Sequence, residues 1–459
     1  MNPRKLSVLA FCFFDAWLLS FAYEGQILYA LLGAQAVEAS GLVRGAILAH
    51  ALGLFACGFF VKTLKAARKT MVVCAALCFV GSGLFFFPAP SAWAVCLPVV
   101  SFAAGLWNAS WGFLYRSFSP ASERMATAAA AIASGTTLMA ALNLAAVWLH
   151  PFAGLIPSML CLAASCVCVP GCRQGAAQER ASRDNAAPQA PLGRPLALLC
   201  GFILAVTVTS GLMFQVVNPA FEPLGLLPAL YWAVPYIAAM IIVARLPRRL
   251  NRSYILYTAL AMIGLGFLAF MVLDRSALSY LAVDTLLLGA FGITDLFWWS
   301  ILGEMLELHG NPARVMGTGL SVNVAGVLLG ESISGLVRRS DGPDACVTVA
   351  LASVCVAVVI LPILYNRLSL LLKNSTFLQT FETMPPEKQK QAIDSLPGAP
   401  QLTAREREIA ALLLKGFTYR LISQELYISE STVKTHIQNL YSKLDVRSKA
   451  ELIRQLRKQ

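Results

Sequence analysis

The side chains best suited to recognising another molecule lie on a helix predicted to follow Ser429, which we call the reading helix. At 100° per residue, its aliphatic side chains share one narrow arc and predict a buried seam: Val433, Ile437, Leu440 and Leu444. The opposite arc carries hydrogen-bond donors and acceptors and no acid: Ser431, Lys434, Thr435, Gln438 and Ser442. That arc fits the major groove of DNA, where base edges offer donors and acceptors between negatively charged phosphates. Four flanking residues are placed to contact sugar and phosphate: Thr432, His436, Asn439 and Lys443.

An ordinary solvated helix face is the alternative interpretation of this arc. Solvated faces usually carry Glu or Asp, which the arc lacks, so we favour a DNA-reading face. The chain upstream supports this choice, because T-x-x-E at Thr403–Glu406 predicts a capping box that starts a first helix. A second short helix and a turn at 427–429 then precede the reading helix. Three short helices with one tight turn are typical of a helix-turn-helix.

Two motifs in this stretch resemble a known family. They are L-T-x-R-E-R-E-I at Leu402–Ile409 and S-x-S-T-V-K-T-H-x-x-x-L-x-x-K-L-x-V at Ser429–Val446. Together they resemble the LuxR/NarL type of DNA-binding domain over about fifty residues. The resemblance implies base-reading positions at Lys434, Thr435 and Gln438, and backbone-contact positions at Thr432 and Lys443. For such a domain we expect double-stranded DNA as partner, a homodimer when DNA is bound, and RNA polymerase as a further partner.

Two features depart from the family's usual residues. Lys449 stands where the family more often has Arg, so its predicted pairing with Glu406 of the first helix would lose the bidentate form. Tyr427 and Tyr419 are bulky where smaller residues are common. Neither feature touches the predicted reading face.

The rest of the chain is unlike a soluble protein. Its 459 residues are 58% hydrophobic and 13% charged, far from the averages of soluble domains. Twelve apolar runs are each about long enough to cross the ~30 Å hydrocarbon layer of a bilayer. They lie near residues 6–23, 43–61, 70–87, 92–113, 126–148, 152–169, 195–217, 227–244, 254–273, 280–301, 315–336 and 345–365. The first run follows basic residues as a signal peptide would, but no small-residue cleavage site closes it, so we predict a first span.

The distribution of Lys and Arg predicts the orientation of these spans. The predicted outer loops at 24–42, 88–91, 149–151 and 218–226 contain none, whereas the inner loops at 62–69 and 245–252 are basic. The exceptions are Arg275 and the pair Arg338 and Arg339. This bias predicts an inner-membrane protein with both termini in the cytoplasm. Residues 402–459 add eleven Lys and Arg against six Asp and Glu, a balance that suits phosphate.

The spans form two sets of six, separated by a Pro-, Ala- and Gln-rich linker at 170–194. Arg124 and Arg314 each stand at the head of a small-residue span, one in each set. This layout resembles the major facilitator transporters. The family's Gly-x4-Asp signature after the second span is absent, which argues against the usual proton-coupled transport. We therefore predict an all-α chain, with a twelve-span bundle of two six-helix repeats and a small C-terminal helix-turn-helix domain.

Acidic residues inside the spans mark a candidate ligand site: Asp15, Asp284, Asp295 and Glu331. Each costs roughly 2.5–3.5 kcal/mol in a membrane, and no Lys or Arg lies deep in a span to pair with them. The favoured interpretation is that these carboxyl groups are neutral and hydrogen-bonded to neighbouring helices; a ligand-facing role for at least one of them is the alternative. We place the ligand site first at Asp15 and Asp295. Further candidates are Trp298, Trp232, Tyr236, Asn108 and Asn323.

Other chemistry is sparse in the sequence. The twelve Cys lie in or near the spans without a partnering His, so neither a zinc site nor a disulfide framework is predicted. No phosphate-binding glycine loop and no receiver-like cluster of acids is present. We predict no catalytic residue, no metal and no cofactor.

The predicted organisation has five parts. They are a first membrane half at 1–169, a cytoplasmic linker at 170–194, a second membrane half at 195–365, a tether at 366–401 interrupted by Pro, and a DNA-binding domain at 402–459. This order predicts a membrane-embedded one-component transcription regulator, not an enzyme, whose spans sense a small-molecule ligand. Two alternatives stay open: a transporter that also signals, and a regulator whose spans are an inert anchor.

Overall fold

The structure, a computed structural model, describes the chain except for residues 1, 24, 121–122, 173–192, 247–251, 307–308, 341–342, 416, 418 and 458–459. Within helices it leaves out the side chains of residues 252, 338–340, 343–344, 367–376, 378–380, 382–383, 420 and 450. Most of the predicted linker, most of the basic loop at 245–252, and the side chains of Arg338 and Arg339 therefore lie outside the described residues. The chain divides into two compact units. The membrane unit comprises Met1–Gly175, Leu196–Glu307 and Asn311–Leu364, and the C-terminal unit is chiefly Tyr365–Gln459.

The described residues of the membrane unit contain twelve helices long and apolar enough to cross a membrane, which confirms the predicted spans. Spans one to six are Pro3–Ala34, Ala39–Phe60, Leu64–Phe86, Pro90–Phe118, Arg124–Trp148 and Pro151–Gly171. Spans seven to twelve are Gly193–Leu224, Leu226–Arg245, Ser253–Val272, Ala277–Met305, Pro312–Val337 and Ala345–Asn366. No strand occurs in the described ranges, as expected for an all-α chain.

Proline and polar caps begin several spans. Pro3, Pro90 and Pro151 occupy the first helical position, where the missing N–H would have no partner in the helix. Span three instead begins at a side-chain cap, because the hydroxyl of Thr63 accepts a hydrogen bond from the N–H of Ala66 at 3.1 Å. These starts matter in a bilayer, since hydrocarbon offers backbone groups no alternative partner.

The first span of each half is interrupted by a π-helical turn. Span one consists of the α-helix Pro3–Trp17, the π-turn Leu18–Ala22 and the α-helix Gln26–Ala34. Span seven consists of the α-helix Gly193–Leu212, the π-turn Met213–Val217, the short helix Asn218–Phe221 and the 3₁₀ turn Glu222–Leu224. The two halves thus share an irregularity as well as a span count. A π-turn inside a helix is a feature that often accompanies a functional site.

The two membrane halves pack closely at the end of the bundle that carries the turn Val61–Thr63, which we call the basic end. A Cβ placed on Gly58 in span two would lie 2.7 Å from the Cα of Arg314 in span eleven. A Cβ on Gly317 would lie 2.1 Å from the carbonyl oxygen of Leu54. Spans two and eleven therefore touch through backbone, which only glycine allows.

Arg124, at the head of span five, also joins the two halves at the basic end. Its buried guanidinium donates a 2.7 Å hydrogen bond from Nη1 to the carbonyl oxygen of Gly303 in span ten. The hydroxyl of Tyr115 in span four donates to the carbonyl oxygen of Arg124 at 2.9 Å. Arg124 and Arg314, matched in the sequence by their place in each half, thus both lie at contacts between the halves.

Arg275, an exception to the predicted charge bias, is held by its own surroundings. Its guanidinium carbon lies 3.9 Å from the ring centroid of Phe270 and 5.6 Å from that of Phe221. Nη1 also donates hydrogen bonds to the carbonyl oxygens of Phe270 and Leu273, at 2.6 and 3.0 Å. Cation–π contacts and carbonyl acceptors give this Arg a local structural role between spans nine and ten.

The C-terminal unit consists of short helices around one apolar core. The helix that contains span twelve runs from Pro343 to Thr383. It is followed by a docking helix, Pro386–Asp394, a first helix, Ala404–Leu414, a second helix, Tyr419–Glu425, the reading helix, Glu430–Lys443, and a last helix, Lys449–Leu456. The core takes residues from each of these helices and from the segment before them.

Candidate DNA-binding surface and intramembrane site

The reading helix has the two faces that the sequence predicts. Its seam is buried: Val433, Ile437, Leu440 and Leu444. The predicted base-reading arc is exposed: Ser431, Lys434, Thr435, Gln438 and Ser442. Of the flanking residues, Thr432 and Asn439 are exposed, whereas His436 and Lys443 are half-buried. The seam fixes the helix against the core while the polar arc remains free for a partner.

Hydroxyl groups organise the start of the reading helix. Ser429 is the N-cap, and its Oγ accepts a hydrogen bond from the N–H of Thr432 at 3.1 Å. The same oxygen lies 2.7 Å from the hydroxyl of Ser431 and 2.8 Å from that of Thr432. Thr435 donates to the carbonyl oxygen of Ser431 at 3.1 Å. Lys434 and Gln438 lie one helical turn apart on this face, so their long side chains are the best placed to reach base edges.

Residues in the left-handed conformation lie before and after the reading helix. Tyr427 has φ of +53° and Asp445 has φ of +49°. At Tyr427 the hydrogen bond from the N–H of Ile428 to the carbonyl oxygen of Ser423 closes a Schellman motif on the second helix. The side chain of Tyr427 is 95% exposed, so packing does not compensate for the strained backbone.

Glu406 of the first helix binds the reading helix through Lys443. The capping box predicted at Thr403 is present, and both carboxylate oxygens of Glu406 accept from Nζ of Lys443, at 2.8 and 2.9 Å. Burial alone would raise the pKa of Glu406, but hydrogen bonds from Lys443 and Thr403 lower it below its ordinary value. The predicted pairing of Glu406 with Lys449 is therefore wrong, because Lys443 in the last turn of the reading helix takes that place. Burial lowers the pKa of Lys449 to about 8.

The segment before residue 402, predicted as a tether, contributes to the core of the C-terminal unit. Phe381, Ile393, Leu396 and Ala399 are buried in one cluster with residues of the first, second, reading and last helices. The rings of Phe377 and Phe381 stack with centroids 6.1 Å apart. Apolar residues at this spacing cover one face of a helix and need a packing partner. The structure supplies that partner in the helix-turn-helix itself.

Hydrogen bonds hold this segment together and join it to the first helix, and its backbone packs closely against the reading helix. Buried Gln389 donates from Nε2 to the carbonyl oxygens of Phe381 and Met384, at 3.0 and 2.8 Å. Arg407 donates to the carbonyl oxygen of Ala399 at 3.0 Å. Gly398 has φ of +86°, and a Cβ there would lie 2.2 Å from the carbonyl oxygen of Lys443. The backbone at Gly398 thus abuts the end of the reading helix.

In the membrane unit, Asp295 forms the centre of a hydrogen-bonded group. Its Oδ2 accepts from the hydroxyl of Tyr236 at 2.7 Å, and its Oδ1 accepts from Nε1 of Trp298 at 3.0 Å. Spans eight and ten are close enough here that a Cβ on Gly292 would lie 2.5 Å from the carbonyl oxygen of Tyr236. Asp295 and Tyr236 are half-buried, so this group is not sealed inside its own half.

Asp15 brings a second carboxylate to this region from the first half. It is 7% exposed and lies in the last turn of span one before the π-turn Leu18–Ala22. Its carboxylate has no hydrogen-bond partner among the described residues. It lies against span five, where a Cβ on Gly135 would be 2.7 Å from Oδ2. Asp15 lies one helical turn from Phe11 and Asp295 one turn from Trp299, and these two rings are 5.4 Å apart, so the acids lie at one level of the bundle, one in each half.

An aromatic cluster bridges the halves one helical turn toward the basic end from these acids. The rings of Phe11 and Trp299 meet edge to face with centroids 5.4 Å apart, and Trp111 lies 4.5 Å from Phe11. Trp299 also stacks on Trp298 at 5.4 Å. Phe11 and Trp111 come from the first half and Trp299 from the second. Their rings therefore form an aromatic layer between the acids and the basic end.

The remaining predicted ligand residues are not joined to this group by any described contact. Trp232 and Asn323 are half-buried, and Asn108 is buried with Oδ1 unpaired in the described part of the chain. Asp284 lies away from the group, beside Tyr280 in the opposite part of span ten. Trp232, Asn323 and Asn108 remain predictions.

The comparison with known proteins decides the nature of the C-terminal domain. Residues 400–456 match the family model of bacterial regulatory proteins of the luxR family. The C-terminal domain is a LuxR-type helix-turn-helix. A probable transcriptional regulatory protein NarL from Mycobacterium tuberculosis is 44% identical to the LuxR-type domain over 63 residues, 14% of this chain. That match spans 29% of the relative's length, so the likeness is confined to the LuxR-type domain and its flanks.

The membrane unit resembles solved transporters in fold. A bacterial homologue of the iron transporter ferroportin, in an outward-facing state, superposes with a TM-score of 0.63 at 16% identity, covering 80% of this chain and all of that one. The proton:xylose symporter XylE of the major facilitator superfamily gives 0.54 at 14% identity, covering 79% and 94%. The membrane unit thus has a major-facilitator-like fold, next to the LuxR-type domain in the same chain.

Two structural features of these sites were not predicted from the sequence. The docking of the upstream segment onto the LuxR-type domain could have been inferred from Phe377 and Phe381, which are one helical turn apart upstream of the family motif. The pairing of Phe11 with Trp299 had no such signal, because nearly three hundred residues separate them. Only the packing of the two halves brings them into contact.

Proposed function

We propose that this protein is a membrane-embedded one-component transcription regulator. In this proposal the membrane unit senses a small molecule and the LuxR-type domain binds promoter DNA. The observation that carries it is the exposed polar arc of the reading helix, held by a buried seam, in the same chain as a transporter-like unit with an intramembrane polar group. A chain that has both parts can respond to a ligand and act on DNA without a phosphorylated intermediary.

The base-reading role falls on Lys434, Thr435 and Gln438, with Ser431 and Ser442 at the edges of the contact. Thr432, His436 and Asn439 would contact the DNA backbone. Lys443 is placed differently, because its ammonium group already binds Glu406. We assign it chiefly to holding the reading helix against the first helix, with a phosphate contact available to the part that stays exposed.

The domain would work in the cytoplasm and as a homodimer. The Lys and Arg of the loops at the basic end support an inner-membrane orientation with both termini inside. In that orientation the LuxR-type domain is in the same compartment as DNA and RNA polymerase. A cytoplasm-dependent reporter fused after Gln459 should be active, and an inactive reporter on a folded fusion would overturn the orientation.

The direct test is DNA recognition by the full chain. Chromatin immunoprecipitation from cells that express the protein should recover discrete promoters, and a reporter should be fused to the strongest one. Lys434→Ala combined with Gln438→Ala should lower occupancy and reporter output at least ~30-fold, because each good base contact contributes about 1–3 kcal/mol. Membrane insertion should be unchanged.

A matched control variant is available on the docking helix. Lys390→Ala with Gln391→Ala removes the same two side-chain types from exposed positions outside the reading helix. Its reporter output should equal that of the unaltered protein. Equal output from the Lys434 and Gln438 variant would refute the reading assignment, and recovery of no promoter at all would refute the regulator itself.

A transporter that also signals is the second candidate, favoured by the major-facilitator-like fold of the membrane unit. Unlike a pure sensor, such a protein moves its ligand across the bilayer. Purified protein in proteoliposomes would exchange a bound ligand across the bilayer, so sustained counterflow would establish transport. Binding without counterflow would leave sensing as the role of the spans.

A further inference from the structure

We propose that the intramembrane site binds a small organic cation with an aromatic or other apolar body, using Asp15 and Asp295 as its two counter-charges. The proposal rests on the sensing function above and names the chemical class of its ligand. It concerns a site built from both halves of the membrane unit, in spans one, five, eight and ten.

Asp295 is oriented by neutral donors that leave its charge available. Tyr236 and Trp298 each donate one hydrogen bond to it, so both oxygens are fixed in position. Neither donor is a cation, so these two hydrogen bonds do not neutralise an ionised Asp295 and leave its charge to a ligand. Because Asp295 is half-buried, a molecule between the halves can approach it.

Asp15, unlike Asp295, is buried without a hydrogen-bond partner among the described residues. It is more than nine-tenths buried, and no described residue donates a hydrogen bond to its carboxylate. The described ion pairs of the chain do not include Asp15 or Asp295. An ionised carboxylate without a partner in a membrane interior is costly, so a cationic ligand that enters between the halves gains binding energy from both acids.

The backbone around Asp15 points to the same place independently of charge. The π-turn Leu18–Ala22 follows Asp15 within one helical turn, and span seven has its own π-turn, Met213–Val217. Interrupted spans in corresponding positions of two repeats typically mark the binding site of a transporter-like fold. Gly135 of span five leaves the room that the Asp15 carboxylate occupies, since a Cβ there would lie 2.7 Å from Oδ2.

The surrounding side chains favour an organic cation over a metal ion. No group of three or more His, Cys, Asp or Glu in the described part of the chain could hold a metal. The acids are instead bordered by Tyr236 and Trp298, with Phe11 and Trp299 toward the basic end. Aromatic faces attract ammonium groups and pack against apolar bodies. Two carboxylates at the same site would repel an anion.

Ligand binding would then act on the arrangement of the two halves. Asp15 belongs to the first half and Asp295 to the second, so one cation between them draws both toward itself. The ligand can shift the arrangement only by the difference in its affinity for the two states. A site with one acid in each half provides such a difference, because separating the halves removes one of the two counter-charges.

The test uses full-chain protein purified in detergent and radiolabelled phenethylammonium as the probe, with tetramethylammonium and tetraphenylphosphonium as further cations. At least one of these cations should bind saturably. Phenylacetate and 2-phenylethanol, which share the phenyl body of phenethylammonium but lack its positive charge, should not displace it. Asp15→Asn and Asp295→Asn should each weaken binding at least tenfold.

Two further variants separate loss of charge from loss of fold. Asp295→Glu keeps the charge and should retain most of the binding, whereas Asp284→Asn removes a buried acid of the same span outside the site and should bind normally. Saturable binding that survives both Asn substitutions, displacement by phenylacetate, or no binding of any of the three cations would overturn the proposal.

The experiments give different results if the proposed ligand class is wrong and if the proposed regulatory function is wrong. If the Lys434 and Gln438 variant loses promoter output while no cation binds, the regulator stands and its ligand belongs to another class. If a cation binds as described but promoter output never depends on Lys434 and Gln438, the site stands and the regulator does not.

Discussion

The two units of this protein position their functional side chains by opposite means. In the C-terminal unit, the reading arc is exposed and lies on one helix of fourteen residues, Glu430–Lys443. In the membrane unit, Asp15 and Asp295 are separated by 280 positions and lie at one level of the bundle only because spans one and ten pack together there. The first site is a surface presented by one element, and the second is a space between several.

This difference follows from the solvent that each unit faces. A DNA-reading face must meet a partner outside the molecule, so its polar residues can remain hydrated until binding. A polar group in hydrocarbon has no water to rely on and must lie where the protein or a ligand provides a partner. The local periodicity of one helix therefore reveals the first kind of site. The second kind requires knowledge of which helices are neighbours.

The largest effect is expected from a substitution at the upstream edge of the C-terminal unit. Phe381→Ala removes a fully buried ring outside the family motif. It should lower the free energy of unfolding of a fragment of residues 365–459 by about 3–5 kcal/mol, the usual cost of truncating a buried Phe. Urea unfolding followed by circular dichroism measures this. Tyr427→Ala, at an aromatic residue that is 95% exposed, is the control and should change stability little. An unchanged Phe381 variant would mean that the domain ends at the family motif after all.

A methyl group added between the membrane halves should have the next largest effect. Gly317→Ala would place a Cβ 2.1 Å from the carbonyl oxygen of Leu54, so spans two and eleven must separate. Overpacking of this kind costs about 1–3 kcal/mol, and it should shift ligand affinity by roughly tenfold because the site needs both halves. The probe-binding assay in detergent measures the shift. Gly335→Ala in the same span meets no atom within 4 Å and should bind as the unaltered protein does. If the two variants bound the probe with equal affinity, the ligand site would not depend on the contact between the two membrane halves.

The smallest effect is expected in the turn before the reading helix. Tyr427→Gly relieves a left-handed backbone without removing any packing, and should stabilise the fragment of residues 365–459 by about 0.5–1 kcal/mol. The midpoint of urea unfolding should therefore rise. DNA affinity should stay unchanged, because Tyr427 lies outside the reading arc. A marked fall in affinity would instead assign this exposed ring to the DNA contact.

Much of the fold was accessible from local signals. The spacing of Val433, Ile437 and Leu440 predicts the buried seam, and the T-x-x-E at Thr403 predicts the capping box, because both depend on residues within one or two helical turns. The twelve spans were predictable for a similar reason, since the length of an apolar run is a local property set by the bilayer. The contact between Lys443 and Glu406 could not be predicted from such local signals. The place of Lys443 opposite Glu406 depends on how two helices pack, and the sequence analysis assigned that contact to Lys449.

Three features of this protein can be predicted from the sequence alone: which residues are buried along a helix, where a helix begins, and which polar residues are costly to place in a membrane. These are properties of a single helix and its solvent. Which residues meet across the fold depends on tertiary packing instead: Tyr236 with Asp295, Phe11 with Trp299, and Gly398 with the end of the reading helix. Such contacts depend on backbones approaching within van der Waals distance across the fold, and periodicity along one element carries no information about its neighbours.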